Sequence, residues 1–333
     1  MRVLVAGASG AVGAFLVPQL IEANHEVIGL TRRAGSLART GAREIVADVA
    51  DRAGLLAALD GVKADAVVHQ LTALTKSPLG YSDMRETNRL RAEGTSTLIA
   101  AARAAGATKF VAASFFGGYG FRDHGRLALD ETTPFGEEDG RNDAVVTALD
   151  SLEVQVRAFG GVALRYGLFY GGRPKSASPV PRAWRGILPM VHLEDAASAV
   201  LRALEAGRPG AVYNIADDEP TTWAARERAI AARFRLRAPM VLPDGMIRTV
   251  APFAGQLITR TAMRLATDRA REELGWAPTY PSITAWSASR DSISLGTAST
   301  GTASTGTPSA RTASRDIAEP DADASGDIDR LAS

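Results

Sequence analysis

The stretch that decides the fold is VLVAGASGAVG, residues 3–13. Its first four residues are apolar and predict a buried strand over Arg2–Ala6, whereas Ala11–Ala23 has the periodicity of a helix. Between strand and helix lie three glycines spaced GxxGxxG. A glycine turn that joins a strand to a helix is the context in which this motif binds a dinucleotide.

Each glycine has a separate task in such a turn. Gly7 permits the sharp change of direction, Gly10 lets the backbone approach a diphosphate, and Gly13 allows close helix–strand packing. The free N–H groups and the positive dipole end of the helix hold the diphosphate. A glycine turn without a ligand is the alternative, although glycines here destabilise the helix without some compensating role. The predicted contacts are Gly7, Ser9, Gly10, Ala11, Val12 and Gly13.

Short apolar runs and helical patterns alternate along the chain beyond this turn. The alternation predicts βαβ units, and hence a parallel sheet with helices on both faces. Right-handed crossovers then give a doubly wound arrangement. We therefore predict an α/β fold, a Rossmann-like doubly wound parallel sheet with a small discontinuous C-terminal substrate lobe and a disordered tail. The predicted strands are Arg2–Ala6, Glu26–Leu30, Glu44–Ala47, Ala66–His69, Lys109–Ala113, Val162–Tyr166 and Val212–Ile215, and further helices are predicted at Thr87–Ala105 and Ala144–Ala158.

The composition along the chain divides it into three regions. Residues 1–166, with 191–216 returning to them, form the predicted NAD(P)-binding Rossmann domain. Residues 167–190 and 217–286 are rich in Gly, Pro and Arg and form the predicted substrate-side lobe. Residues 287–333 repeat GTAST and then turn acidic. Such a segment buries too little apolar surface to offset its ordering entropy, so we predict a disordered low-complexity tail.

The overall composition excludes several classes of protein. The 333 residues carry a formal net charge of +1, which gives no electrostatic footprint for nucleic acid or an anionic membrane. The chain has no cysteine and only 4 histidines without metal-site spacing, so no metal site is predicted. No apolar run approaches the roughly 18–20 residues of a membrane span, and no signal peptide precedes the first strand. We expect a cytoplasmic protein with a small-molecule substrate, and leave a homodimer open.

The end of the second strand bears on the choice of dinucleotide. NAD sites place an acid there for the ribose 2′-OH, whereas an arginine suits a 2′-phosphate. This chain has Thr31, Arg32 and Arg33 and no acid, so we expect NADP(H) to be preferred over NAD(H). Solvated loop charges are the alternative for the two arginines. Asp48, followed by Val49, comes after the third strand and is predicted either to contact the adenine amino group or to cap a helix.

In these features the chain resembles the short-chain dehydrogenase/reductase superfamily, specifically its extended branch of NAD-dependent epimerases and dehydratases. The resemblance covers residues 1–286 and implies the fold and a nicotinamide dinucleotide. It also assigns Gln70, Leu71 and Thr72, after the fourth strand, to the cofactor site. Its motifs occur in order as 7–13, VVHQLTA at 67–73, Gly94-Thr95, ALRYGLFYG at 163–171, VHLEDAA at 191–197, YNIA at 213–216 and LGWAP at 274–278.

The family's proton-transfer residues do not carry over. The family places Tyr, then Lys four residues later, then Glu four beyond, on the helix after the fifth strand. Anchored on Glu153, the Lys position holds Leu149 and the Tyr position holds Val145, neither of which titrates. The family's Ser/Thr donor falls on Phe115, next to Ser114, and its Asn on Arg91, or on Asn88 if the register is shifted. The chain is therefore an atypical member that lacks the Tyr-x-x-x-Lys motif.

If hydride transfer is retained, a group other than the family's Tyr and Lys must donate the proton. Ser114 at the end of the fifth strand, Tyr119 just beyond it and Lys76 after the fourth strand are the candidates, since strand carboxyl ends form the site. Tyr119 and Lys76 could restore a phenol–ammonium pair from separate segments. The alternatives are that Tyr119 packs, that Lys76 is solvated, and that His69, His192 and Asp195 are structural.

The predicted substrate wall is largely apolar, which suits an apolar or aromatic metabolite better than a sugar nucleotide. We expect an NAD(P)H-dependent oxidoreductase that reduces a carbonyl or an activated double bond, the latter suffering least from the loss of Tyr and Lys. The alternatives are a catalytically silent dinucleotide-binding or regulatory protein and an NAD(P)-dependent epimerase or dehydratase. The wall is predicted from Phe115, Phe116, Phe169, Trp184 and 246–257, with Arg165, Arg182, Arg185, Arg248 and Arg260 available to an acidic group.

Overall fold

The computed structural model describes residues 1–74, 76–136 and 143–289. The strands are β1 (Arg2–Ala6), β2 (Glu26–Thr31), β3 (Arg43–Val46), β4 (Ala66–His69), β5 (Lys109–Phe115), β6 (Asp123–Leu129), β7 (Val162–Tyr166), β8 (Leu168–Tyr170), β9 (Val180–Pro181), β10 (Ile187–Leu188), β11 (Met190–His192), β12 (Val212–Ile215), β13 (Thr221–Thr222), β14 (Val241–Leu242) and β15 (Ala262–Leu265).

The α-helices are α1 (Ala11–Glu22), α2 (Arg52–Ala58), α3 (Arg85–Arg89), α4 (Thr95–Ala105), α5 (Asp143–Phe159), α6 (Leu193–Ala206), α7 (Trp223–Phe234), α8 (Asp244–Val250), α9 (Pro252–Arg260), α10 (Asp268–Leu274) and α11 (Ile283–Ala288). Two 3₁₀ turns lie at Tyr81–Met84 and Phe116–Tyr119, and a π-helical turn at Leu90–Gly94 joins α3 to α4. Among the described residues, no helix is both long and apolar enough to cross a lipid bilayer.

Seven of the strands form one sheet in the order β12-β7-β5-β4-β1-β2-β3, and every neighbouring pair is parallel. The central strands are buried along their length, as in a sheet covered on both faces. The strand order reverses between β1 and β4, and the crevice outside the carboxyl ends at such a point is where α/β proteins bind ligands. The predicted Rossmann-like α/β fold is confirmed.

Helices cover both faces of this sheet. On one face, α1 and α6 bury Leu16, Leu20 and Val200 against the sheet, and Trp276 beyond α10 joins the same core. On the other face, α2, α4 and α5 contribute Leu55, Leu98 and Leu152 among others. Each buried aliphatic side chain stabilises the fold by about 1.5–3 kcal/mol. These two cores therefore stabilise the packing of the sheet between the helices.

A third apolar cluster, which we call the substrate-side cluster, lies beyond the carboxyl edge of the sheet. It combines the sheet and α5 with the later helices α7, α8, α9 and α11. Its buried members include Phe116 after β5, Val145 and Leu149 on α5, Phe253 on α9 and Trp286 on α11.

The structure contains elements that the sequence did not predict and differs from some that it did. The helix predicted over Thr87–Ala105 contains the π turn, and α6 and β6 were not predicted. α11 continues through Ala288, past the predicted tail boundary, because Ser282 caps it and Trp286 is buried in the substrate-side cluster. The rest of the predicted tail, residues 290–333, lies outside the described residues.

Candidate functional site

The glycine turn forms the first part of the site. Gly7 has φ +96°, a left-handed conformation that favours glycine, and a Cβ there would lie 2.7 Å from the Gln70 carbonyl oxygen. A Cβ at Gly13 would overlap the Gly7 carbonyl oxygen and lie 2.5 Å from that of Ala8. The glycines therefore let α1 and β4 approach the turn closely.

The N-terminus of α1 has no protein acceptor among the described residues. Gly10 is its N-cap and has no side chain to accept a hydrogen bond from the first helical N–H groups. Those groups and the helix dipole suit a diphosphate, so the residues fit a dinucleotide. Ser9 and Gly10 are exposed beside them, whereas Val12 and Gly13 are buried, so only their backbones can reach a ligand.

At the end of β2, Thr31 is buried and its hydroxyl lies 3.1 Å from both the Arg33 carbonyl oxygen and Glu44 Oε1. The Thr31 proton is therefore engaged within the protein, and the contact of Thr31 with a cofactor stays a prediction. Arg32 and Arg33 are exposed, and in the described chain their guanidinium groups form no hydrogen bond or ion pair.

Sequence reasoning missed Glu44, which fixes the loop that carries these arginines. Its carboxylate accepts hydrogen bonds from the backbone N–H of Gly35 at 2.6 Å and of Leu37 at 3.1 Å. These bonds, that from Gly35 first, hold the pKa of Glu44 below its usual value. The loop is thus closed on an internal carboxylate, with the two guanidiniums on its outer side.

The residues after β3 and β4 flank the same crevice. Asp48 Oδ1 accepts from the Ala50 N–H at 2.9 Å, but the N-cap of α2 is Asp51, so the capping alternative for Asp48 is wrong. Val49 is buried. After β4, Gln70 Nε2 donates to the Tyr166 hydroxyl at 3.4 Å. The remaining two predicted contacts are Leu71, whose N–H donates to His69 Nδ1 at 3.2 Å, and Thr72, whose hydroxyl lies 3.3 Å from that of Thr87.

The helix that carries the family's proton-transfer pair presents apolar side chains here. Val145 and Leu149 on α5 are 3% and 0% exposed and belong to the substrate-side cluster. Neither position offers a proton or a charge.

Ser114 lies in a buried ionic network under the sheet. Its hydroxyl donates to Glu153 Oε1 at 2.6 Å, and Arg165 Nε and Nη2 donate to the two oxygens of the same carboxylate at 2.9 and 2.8 Å. All three side chains are buried. Arg165 is therefore paired with Glu153, which corrects the prediction that it is available to an acidic substrate.

Tyr119 is 1% exposed, and its hydroxyl lies 2.8 Å from Asn214 Oδ1 and 2.9 Å from the Asp130 carbonyl oxygen. Burial raises the pKa of Tyr119 to about 12. The Arg165 guanidinium lies 4.8 Å from its ring centroid. Lys76 is exposed, and no hydrogen bond between it and Tyr119 is present in the described chain, so the structure does not bring this candidate pair together.

The remaining polar candidates have structural partners. His192 caps α6 by accepting from the Glu194 N–H at 3.3 Å, and Asp195 accepts from the backbone N–H groups of Thr279 and Tyr280 at 2.9 and 3.0 Å. Burial lowers the pKa of His69 to about 4, so its imidazole is neutral at physiological pH.

The substrate wall joins the loop after β4 to α9. The Phe253 N–H donates to the Leu79 carbonyl oxygen at 2.8 Å, and the Tyr81 and Phe253 rings meet edge to face at 6.0 Å. Phe115, half-buried at the end of β5, lies 4.3 Å from the Phe116 ring. Two of the other predicted lining residues are bonded within the protein: Trp184 Nε1 donates to the Thr261 carbonyl oxygen, and Arg248 Nη1 donates to the Thr259 hydroxyl. The remaining ones are exposed, namely Phe169, Arg182, Arg185 and Arg260.

Comparison with known proteins identifies relatives of this arrangement. The model of the NAD dependent epimerase/dehydratase family matches residues 3–216. The chain is 36% identical over 304 residues to a 3-diazoavenalumate denitrifying reductase from Streptomyces sp, a match that covers 85% of this chain and 97% of that protein. It is 30% identical over 243 residues to a 2-alkyl-3-oxoalkanoate reductase from Stenotrophomonas maltophilia (strain K279a), covering 66% and 72%.

Solved structures share the fold. The UDP-glucose 4-epimerase from Bifidobacterium longum, determined in complex with NAD+ and UDP, superposes with a TM-score of 0.69 at 18% identity, covering 86% of this chain and 96% of that one.

Proposed function

The chain belongs to the NAD-dependent epimerase/dehydratase family, and on that premise we propose that it is a reductase that transfers hydride to an aromatic diazo compound. Its reaction class is oxidoreduction with a nicotinamide dinucleotide. The observation that carries the proposal is the pair of buried apolar side chains, Val145 and Leu149, where the family has its proton-transferring Tyr and Lys.

The proton balance of the reaction explains why that pair matters. Reduction of a carbonyl adds a hydride to carbon and a proton to oxygen, and a positioned acid contributes about 10²–10⁴-fold to such a step. Replacement of a diazonium group by hydrogen breaks a carbon–nitrogen bond, forms a carbon–hydrogen bond and releases dinitrogen. Its electron pair comes from NAD(P)H, which becomes NAD(P)+, and no net proton is consumed. A site with Val145 and Leu149 at the Tyr and Lys positions of α5 suits the second reaction.

The relatives favour the same choice. The reductase that is 36% identical, with 97% of its length covered, is named for a diazo compound and for the loss of nitrogen. The 2-alkyl-3-oxoalkanoate reductase is less similar and is named for an oxo compound. A carbonyl or an activated double bond is therefore the second candidate for the reduced group. The apolar substrate-side cluster beside the site suits an aromatic substrate of any of these types.

The chain's own part is to hold the cofactor and to exclude water around the reacting atoms. When bound, the reduced nicotinamide supplies the hydride. The N-terminus of α1 would hold the diphosphate, and the residues after β3 and β4 would contact the adenosine and nicotinamide ends. We propose that NADP(H) is preferred, because Arg32 and Arg33 are exposed beside the end of β2 with no protein partner in the described chain.

Removing both guanidinium groups tests this preference. In an Arg32→Ala/Arg33→Ala variant we expect the Kd for NADPH to rise about 10- to 100-fold, because charge-assisted bonds to the 2′-phosphate are lost. The Kd for NADH should stay within about twofold. Fluorescence titration of both dinucleotides measures the ratio, and Arg39→Ala, exposed in the same loop, is the matched control. An unchanged NADPH/NADH ratio would contradict the preference.

Turnover of an arenediazonium tests the reaction itself. With NADPH and 4-carboxybenzenediazonium we expect one NADPH oxidised for each dinitrogen released, with benzoate as product, no proton uptake in weakly buffered solution, and kcat of about 1–10 s⁻¹. Heat-inactivated protein corrects for direct reduction by NADPH. A ketone panel should give at least about 100-fold lower kcat, since Val145 and Leu149 cannot donate the proton that carbonyl reduction needs.

Each contrary outcome identifies another function. Rapid ketone reduction with one proton taken up per NADPH would replace the diazo proposal with carbonyl reduction. Product formation without net cofactor change would indicate an epimerase or dehydratase. NADPH binding without turnover of any of these compounds would indicate a dinucleotide-binding protein without chemistry.

A further inference from the structure

Arg91 lies in the π turn between α3 and α4, and it is one of the two positions, with Asn88, to which the resemblance would assign the family's Asn. A π turn adds one residue to a helix and changes the direction of the side chains it carries, and such turns are frequent at functional sites. The carbonyl groups that it leaves free are bonded: the Thr95 hydroxyl donates to the Arg91 carbonyl oxygen at 2.6 Å, and Gln155 Nε2 donates to that of Ala92 at 2.9 Å. The turn is thus fixed against α5, the helix that lacks the proton-transfer pair.

The Arg91 guanidinium is half-buried and has little protein compensation. Its Nη1 donates to Asn88 Oδ1 at 3.3 Å, and no carboxylate in the described ranges forms an ion pair with it. Arg89, two residues earlier, is exposed and pairs with both Glu86 and Glu93. The solvated Arg89 therefore has carboxylate partners, whereas the more buried Arg91 has only an amide oxygen.

Arg91 lies near the carboxyl end of β4, where the proposed site would hold the nicotinamide. Its positive charge acts on His69, the last residue of β4, and adds to the lowering of the His69 pKa by burial. Burial lowers the pKa of Arg91 to about 10, so the guanidinium is still charged at neutral pH. The diphosphate site lies one strand away, at the turn after β1. In the proposed binding mode, the N-terminus of α1 and the arginines after β2, rather than Arg91, would bind the phosphates of the cofactor.

A half-buried guanidinium with one neutral partner still has N–H groups that can reach an anion, and partial burial strengthens such a pair. Arg has five N–H donors in a planar fork that matches a carboxylate in two parallel bonds. His69 cannot supply the counter-charge, because an imidazole is either neutral or positive. An anion that arrives from solution would supply it.

We propose that Arg91 binds the carboxylate of the substrate, so that the substrate is an aromatic carboxylic acid oriented by this contact. The proposal rests on the proposed function for the reacting group, but the contact itself does not depend on which group is reduced. The names of both reductase relatives, a diazoavenalumate and an oxoalkanoate reductase, denote carboxylate anions. Of the arginines predicted from the sequence for an acidic group, Arg165 is already paired with Glu153, whereas Arg91 entered the sequence analysis only as a candidate position of the family's Asn.

Binding of a carboxylate that cannot react tests the contact separately from turnover. The probe is benzoate, titrated calorimetrically into the NADP+-loaded protein. We expect Arg91→Gln to raise the Kd for benzoate about 10- to 100-fold, the range for one charge-assisted pair, with the Kd for NADPH unchanged. Arg91→Lys should keep part of the affinity, because it retains the charge but not the planar fork. Benzamide should bind the wild type and Arg91→Gln equally.

Arg89→Gln, at the end of α3 next to the π turn, is the matched control and should bind benzoate as the wild type does. Equal benzoate affinity in wild type and Arg91→Gln, including no measurable binding by either, would overturn the proposal. Loss of NADPH affinity with benzoate affinity kept would overturn it in favour of a cofactor contact. A protein that shows Arg91-dependent benzoate binding but does not turn over the diazonium would retain this inference while the proposed reaction fails.

Discussion

Replacement of Glu153 by Gln is expected to lower the free energy of unfolding by about 3–5 kcal/mol, because it leaves the buried Arg165 guanidinium without a counter-charge. The carboxylate receives the Ser114 hydroxyl as well as both Arg165 bonds, so one substitution disturbs three side chains. Chemical denaturation with an unchanged m value measures the loss. Several kilocalories are a large fraction of the 5–15 kcal/mol typical of a folded domain.

Two further variants separate the charge from the packing. A Glu153→Leu/Arg165→Met double variant removes both charges and should be more stable than either single variant, since apolar replacement of a buried pair is often near neutral. The exposed pair of Arg89 and Glu93 provides the surface control, where Glu93→Gln should cost less than about 1 kcal/mol. A loss below about 1 kcal/mol for Glu153→Gln would show that the buried network does not stabilise the fold.

Replacement of Gly13 by Ala is the second large effect that we expect. The added Cβ overlaps the Gly7 carbonyl oxygen, so α1 must move away from the turn that positions its N-terminus. Overpacking of this kind costs about 1–3 kcal/mol. The backbone N–H groups that would hold the diphosphate move with α1, so the Kd for NADPH should rise about 10- to 100-fold, as for the loss of one charge-assisted hydrogen bond.

Fluorescence titration with NADPH and the thermal midpoint measure the two consequences. Gly245→Ala is the control: a Cβ there would meet only the Arg248 side chain, at 3.9 Å, so both quantities should stay at their wild-type values. Undiminished NADPH affinity in Gly13→Ala would mean that the turn does not hold the dinucleotide.

The parts of the fold that were predictable are those encoded locally. The strand β1, the glycine turn and α1 follow one another within 22 residues, and their order determines the ligand-binding end of the sheet. Apolar runs also predicted β4, β7 and β12 with their observed bounds. α6 could have been found, because Leu193, Ala196, Ala197, Val200 and Leu204 form a buried helical stripe.

Other features depend on contacts between distant segments. β6 is mostly exposed and is a strand because it pairs with β15, more than a hundred residues later. Tyr119 was a reasonable candidate from its position in a loop, but its hydroxyl is bonded to Asn214, which belongs to another strand. A sequence pattern shows which residues have suitable chemistry, whereas the partner that occupies each group depends on the tertiary fold.

The site residues divide in the same way. The family's Tyr and Lys could be shown to be absent by counting four residues at a time along α5, since helical spacing is regular. The buried pairing of Arg165 and the half-buried position of Arg91 could not be read from spacing, because both depend on which neighbour lies across the sheet or beside the π turn. Arginine is abundant in this chain, so its occurrence alone carries little information.

The contact between α1 and α6 also affects the order in which the chain acquires its structure. Gln19 on α1 donates to the Glu194 carbonyl oxygen at 3.3 Å, and the Phe15 and His192 rings lie 6.2 Å apart. At about 5–20 residues per second, the ribosome completes α6 about 10–40 s after α1. Until then the apolar face of the cofactor-binding helix has no cover from that side. The packing of α1 is therefore completed only after α6 has been translated, and nascent chains that stop short of α6 leave this apolar face exposed.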